Sequence, residues 1–237
     1  MLKKVQGIIT KTVKYGESSV IFDLLTEEDG VRSFIIGGVR KKGSKNKSAL
    51  VRVLNLVDIQ AYVKDNDSLS RVKEISYSYI YQSIPFDVAK GSVATFLIEI
   101  CRKSIKATDN SIELYHFIVK GLIHLDNMNT GLAHFHIRFL IDLTSHLGFE
   151  MNDNYSSTRP FFDLRDGTFK INREDHRLSL DEDHSRYLNA YMRSADHENV
   201  PREGRRVLLL SMVDFYRYHI NDFGELKSLD ILMSLYE

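Results

Sequence analysis

The sequence predicts an α+β chain in which a small five-stranded β-barrel precedes an α-helical domain. Two observations carry this prediction, and a third, the charge split between the halves, points to a polyanionic partner. Residues 1–80 read as short β-rich runs separated by turn residues. Beyond Pro85 the apolar residues change to helical spacing. The chain as a whole is neutral, with 32 Lys+Arg and 32 Asp+Glu, yet residues 1–80 carry a formal +5 and residues 81–237 a formal −5. The length of 237 residues accommodates one large or two small domains with a real core.

In the first part, "VQGIITKTV" and "SVIFDLLT" are rich in β-branched and aromatic residues, and Tyr15–Ser18 supply a turn between them. Asp29-Gly30 between two apolar runs is a strong hairpin signal. After a basic stretch, "LVRVLNLVDIQAYV" alternates, and "KDNDS" turns the chain into "LSRVKEISYSYIY". That makes five strands and no convincing helix. Closure into a barrel removes exposed edges. An OB-type barrel leads and an SH3-like barrel competes, since strand counting does not separate them. The expected domains are therefore a barrel over 1–80 and helices over 81–237.

In the second part, Val93, Phe96, Leu97, Ile100, Cys101 and Ile105 form one helical stripe. Asn110 with Glu113 offers a capped start for the next helix. Leu132, Phe135, Phe139, Leu140, Leu143 and Leu147 form another stripe, which Gly148 closes. Residues 150–175 are polar and turn-rich, and "RPFFDLRDGTFKI" reads as a small hairpin insert. Helices resume over 180–195 and 203–221, with a short last one in "SLDILMSLY".

Enzyme chemistry finds little support. The nine histidines include no HExxH; His134 and His136, two apart on a helix, point in different directions. No glycine pattern cradles phosphate, and the single cysteine, Cys101, falls on an apolar stripe as an inert thiol. The carboxylates of Asp181–His184 suit a helix N-terminus without metal. No cofactor is expected. The N-terminus does not read as a signal peptide and no apolar run spans a bilayer, so a cytoplasmic protein is expected.

What stands out is "GGVRKKGSKNKSALVR", in which Arg40, Lys41, Lys42, Lys45, Lys47 and Arg52 meet no acidic residue. A cationic loop beside a strand suits phosphate backbones, because each neutralised phosphate releases counterion. The strand entering the loop puts Arg32, Phe34, Ile36 and Arg40 at alternate positions, so one face mixes cations with an aromatic. Phe34 stacks on a base or packs the barrel; Tyr15 stacks or packs its turn. The other reading of the loop is a solvated turn with ordinary surface lysines.

The order "GIITKTVKYGESSVIFDLLTEEDG", "GGVRKKGSK", "LNLVDIQAYV" resembles the N-terminal barrel of the bacterial RecO recombination-repair family. "FHIRFLIDLTSHLGFEMN" resembles the family's central helix, and "LKSLDILMSL" its end. The resemblance implies an OB barrel followed by helices in a non-enzymatic mediator. Such a mediator binds single- and double-stranded DNA and anneals complementary strands. It also binds RecR and the acidic tail of single-stranded DNA-binding protein (SSB), helping to load RecA. By position, Gly38, Arg40, Lys41 and Lys42 fall in the family's basic strand-to-loop segment. Arg138 falls near the pocket for the acidic tail, its other reading being a surface arginine lying along its helix. Lys227 and Ser228 match a Lys-Ser pair before the last helix. Three departures accompany these matches. Gly37 stands where many relatives have lysine and Leu229 where arginine often follows; residues 150–200 lack the four cysteines of a zinc knuckle, so zinc is not expected there. The resemblance places the protein on DNA, nucleoid-associated in the cytoplasm. Two rivals are an adaptor that binds RecR or the tail without binding DNA, and a hydrolase assembled from His and Asp residues only in three dimensions.

Overall fold

The structure, a computed structural model, describes residues 1–39, 45–63, 69–105, 112–195 and 197–234. Five strands, β1 (Leu2–Tyr15), β2 (Ser19–Thr26), β3 (Val31–Ile36), β4 (Leu56–Tyr62) and β5 (Ser70–Tyr79), close into a barrel in the order β1-β2-β3-β5-β4. All pairs are antiparallel except β3 with β5, which run parallel through Phe34↔Ser70 and Ile35↔Arg71. That order and the one parallel pair give the OB-type arrangement.

Long β1 serves two neighbours, with β4 along its first half and β2 along its second, and its register shifts between Ile9 and Lys11. Gly7 lies where β1 turns from one to the other. A Cβ there would meet Leu24 Cγ at 2.5 Å and the Leu25 carbonyl at 2.6 Å, so only glycine allows this approach. The β2–β3 turn forms at Asp29-Gly30 as expected, with Gly30 at φ 63°. The Thr26 hydroxyl donates to the Gly30 carbonyl (2.8 Å) and accepts from the Asp29 N–H (2.9 Å). Inward residues alternate along the strands, and Ile9, Phe22, Leu24, Phe34, Val57 and Ile59 fill the interior.

The described later part of the basic stretch differs from the loop expected. Lys45–Leu50 form a short helix, α1, whose last carbonyls are satisfied by the Asn55 side-chain amide donating to Ala49 O (2.7 Å) and Leu50 O (2.9 Å). The segment is sewn to the barrel: Thr12 Oγ1 donates to Val51 O (3.0 Å), Leu54 N to Ile9 O (2.9 Å) and Ile9 N to Asn55 O (3.0 Å). Val39 and Val51 enter the barrel core.

Helices α2 (Val88–Ser104) and α3 (Ile112–Asn127) follow. By packing, the chain forms two compact units, Met1–Asp126 and Asn127–Glu237, so these two helices group with the barrel although the change from strand to helix comes near residue 80. Asp87 caps α2 by accepting from Lys90 N (3.0 Å). The start expected at Asn110 lies outside the described residues. Cys101 is fully buried, and burial pushes its thiol up to about 12. Asp126, near the end of α3, is 2% exposed and binds the post-barrel turn: Gln82 N (2.8 Å), Ser83 N (2.8 Å), Ile84 N (2.9 Å) and Tyr79 OH (3.0 Å) all donate to its carboxylate.

The second unit contains α4 (Leu132–His146), the hairpin β6 (Phe161–Asp163) with β7 (Thr168–Lys170), α5 (Glu182–Met192), α6 (Arg202–His219) and α7 (Leu229–Met233). Gly148 takes φ 80° just past α4, the expected glycine stop. Asp181 caps α5 by accepting from His184 N (2.9 Å). Tyr216 on α6 is fully buried and donates to Leu140 O (2.8 Å) on α4.

Candidate nucleic-acid interface

Alternation along β3 places Arg32, Phe34 and Ile36 on one face as expected, but that face is the barrel interior. Phe34 is 2% exposed and its ring stacks on Phe22 at 5.8 Å between centroids. A ring so enclosed has no free face for a base, so its expected stacking role is corrected to core packing. Arg32 shares the parity but sits opposite Leu24 near the strand's beginning, where it stays half-buried.

Of the basic stretch, Arg40, Lys41 and Lys42 lie outside the described residues. Lys45 begins α1, and its side chain also lies outside them. Lys47 in α1 and Arg52 just after it are exposed, on the segment that Thr12, Ile9 and Asn55 fix to the barrel. These two cations are thus carried on an anchored element.

The outer surface of the barrel adds residues that the linear sequence does not single out. Cross-strand register joins Leu2↔Tyr62, Tyr62↔Arg71, Arg71↔Ile35, Ile35↔Ile21 and Ile21↔Val13. These six positions form one outward row over all five strands, since the residues flanking Tyr62 and Arg71 (Ala61, Val63, Ser70 and Val72) are buried. Tyr62 is 50% exposed, Leu2 44% and Val13 47%. Tyr15, two residues beyond Val13, is exposed as well. An aromatic at the outward parity of "IQAYV" is visible in the sequence; its adjacency to Arg71 is not.

A groove of the barrel, about 770 Å³, is poorly suited to phosphate. Its four lysines (Lys3, Lys4, Lys47, Lys73) face five carboxylates, Glu27, Glu28, Asp29, Asp58 and Glu74. A phosphodiester laid there would meet as much repulsion as attraction.

In the second unit Arg138 is engaged within the fold. Its Nε donates to both Asp142 oxygens (3.0 Å each), and its Nη1 donates to Tyr191 O (2.9 Å) and to the Ser194 hydroxyl, linking α4 to the end of α5. Lys227 is exposed just before α7. His134 Nδ1 lies 2.6 Å from the Tyr191 hydroxyl, and His136 is buried, which lowers it to about 4. Among the described residues no group of three or more His, Cys, Asp or Glu is placed to hold a metal ion. No helix among them is long and apolar enough to cross a membrane.

Comparison with known proteins fits this architecture. Residues 1–81 match the family model "Recombination protein O N terminal" and residues 85–230 match "Recombination protein O C terminal". DNA repair protein RecO of Phocaeicola vulgatus is 30% identical over the full length of both chains. The Bacteroides fragilis protein of that name is 31% identical, again over both full lengths, and that of Flavobacterium psychrophilum 28% over 98% of each. With an OB-type barrel, a helical second unit and family matches across nearly the whole length, the chain belongs to the recombination protein O family of DNA repair and recombination.

Proposed function

We propose that this chain is a recombination mediator that binds single- and double-stranded DNA through its barrel, anneals complementary strands and, with RecR, helps load RecA onto DNA coated by single-stranded DNA-binding protein. The observation that carries the reading is the anchored segment that bears Lys47 and Arg52, on a barrel whose first 80 residues have a +5 surplus. Two strands resist pairing because their phosphates repel. A cationic surface that holds both lowers the repulsion and raises their local concentration, with no catalytic base required. The place of action is the nucleoid.

Arg32, Arg40, Lys41, Lys42, Lys45, Lys47 and Arg52 are the proposed phosphate contacts; Arg138 and Lys227 are the proposed partner contacts. For Arg138 the acidic tail of single-stranded DNA-binding protein would have to compete with Asp142 for the guanidinium, so the tail gains less there than beside an unpaired arginine. Fluorescence anisotropy with labelled DNA across a salt series tests the reading. Charge reversal at Lys41, Lys42 and Lys45 should weaken binding and reduce the salt slope by about 0.7–0.9 for each phosphate no longer neutralised. An unchanged slope would remove the segment as the DNA-binding element.

One observation favours a second reading, a protein adaptor that binds RecR or the tail and not DNA. The mixed-charge groove of the barrel suits a polypeptide better than a polyanion. The adaptor predicts normal capture of RecR with no anisotropy change at any salt concentration.

A further inference from the structure

We infer that the outer face of the barrel holds single-stranded nucleic acid by its bases, with Tyr62 as the stacking ring and Arg71 beside it as the cation. The inference rests on the nucleic-acid reading above and adds the form of the ligand and the residues that select it.

The row through Tyr62, Arg71, Ile35, Ile21 and Val13 contains one cation, no carboxylate and otherwise only apolar or aromatic side chains. The row winds once around the closed barrel, so the part that shares one face is Tyr62, Arg71 and Ile35 on β4, β5 and β3, two interstrand steps of about 4.8 Å or roughly 10 Å, room for a short run of unpaired bases. The acidic residue of β2 nearest this end of the barrel is already paired. Asp23 accepts from Ser33 Oγ (2.6 Å) and lies 3.9 Å from Lys11 Nζ, so its charge is partly answered before any ligand arrives. Tyr62 and Arg71 are exposed, as are Leu2 and Val13, whereas Ile35 and Ile21 are half-buried.

Aromatic rings that are exposed on a rigid strand and flanked by a guanidinium match what an unpaired base needs. The base covers the ring, and Arg71 can reach the base face or the adjoining phosphate. In a duplex the base faces are covered by each other, so a duplex can use the cations, Arg71 and those of the neighbouring segment, but not the ring of Tyr62. The row therefore supplies a component of affinity that is specific to single strands and weakly dependent on salt. The segment of Lys47 and Arg52 supplies the salt-dependent component common to both forms. This division would let one barrel hold an unpaired strand by its bases and release those bases as they pair.

The protein contains no tryptophan, so Tyr62→Trp places a single indole on the row. Titration with oligothymidylate should quench that indole with the same midpoint as anisotropy, while a duplex of equal length binds without quenching. Tyr62→Ala should weaken oligothymidylate binding roughly tenfold and change duplex binding by less than about twofold. Tyr62→Phe, which keeps the ring, should bind normally. If oligothymidylate binds the unmodified chain but the indole of Tyr62→Trp stays silent and Tyr62→Ala is neutral, the bases lie elsewhere; this inference is then overturned while the nucleic-acid reading stands. If the unmodified chain binds no oligonucleotide even at low salt, both are overturned.

Discussion

Removing the carboxylate of Asp126 should cost the first unit much of its stability, and the cost can be built from its hydrogen bonds. Three backbone N–H groups and the Tyr79 hydroxyl donate to this group, with donor–acceptor distances of 2.8–3.0 Å. The Ser83 hydroxyl donates to the Asp126 carbonyl, and Lys90 Nζ donates to that carbonyl (3.0 Å) and to Ser83 Oγ (2.7 Å). In Asp126→Ala the donors do not suffer equally. Gln82 is exposed and its N–H can turn to water, whereas Ile84 is 5% exposed and its N–H is left without a partner. An orphaned buried donor costs about 1–3 kcal/mol, and each of the three other charge-assisted bonds removed about 1 kcal/mol after rehydration, giving roughly 4–6 kcal/mol in all. In urea unfolding followed by circular dichroism, the loss should fall on the transition of the first unit, and in a thermal scan the midpoint should drop by about 10 °C or more. Asp126→Asn should cost less, since its amide oxygen still accepts while its NH2 faces donors. Burial alone would raise the Asp126 pKa, but the Gln82, Ile84 and Ser83 amides and the Tyr79 hydroxyl outweigh it and hold the group below the usual carboxylate range. Because its folded value lies below the unfolded one, its contribution is complete above about pH 4 and is lost as pH falls through the folded value. The acid limb of the stability curve should therefore flatten in Asp126→Asn. A loss under about 1 kcal/mol with an unchanged acid limb would refute the reasoning, because it would mean that water replaces the carboxylate at every donor.

Three further outcomes are expected. Phe34→Ala should destabilise the barrel by about 3–5 kcal/mol, as for other large buried aromatics, while the protein that remains folded keeps its affinity for oligothymidylate; a selective loss of affinity would restore the base-stacking role. Cys101, buried and raised to about 12, should react with a thiol reagent no faster than the first unit opens, so the rate should follow urea concentration; rapid stoichiometric labelling of native protein would contradict its burial. His136 is held neutral by burial at a pKa of about 4, below the unfolded value, so its contribution is complete above about pH 6.5 and falls as pH drops toward 4, by up to about 3 kcal/mol. His136→Leu should remove that part of the acid sensitivity, which urea midpoints at pH 7 and pH 5 would reveal.

What is legible in the sequence is local, and what stays hidden is the register between distant strands. Asp29-Gly30 specifies its own turn, because a glycine at φ 63° and a threonine hydroxyl three residues before Asp29 are sequence neighbours. The helical stripes and the glycine after α4 are local in the same sense. Alternation along β3 divides its residues correctly into two faces, but alternation does not say which face is inside. That decision comes from across the sheet, where Phe22 meets Phe34 and the closed barrel must fill its interior with large rings. The six residues of α1 leave no helical signature because Lys-Asn-Lys-Ser-Ala-Leu has no apolar stripe; its end is secured by Asn55, five residues after its last residue. Asp126 gives no signal at all, being one acid near the end of an apolar helix whose donors lie more than forty residues earlier. The Tyr62–Arg71 pair is instructive in the same way. Neither residue is conspicuous in its own strand; an antiparallel register makes them neighbours, and a parallel register then brings Ile35 to Arg71. A nucleic-acid face on a barrel is by construction a set of residues from several strands at one height. Its chemistry is therefore assembled by pairing rather than by spacing along the chain, and the basic segment is conspicuous only because its charges happen to be nearly consecutive.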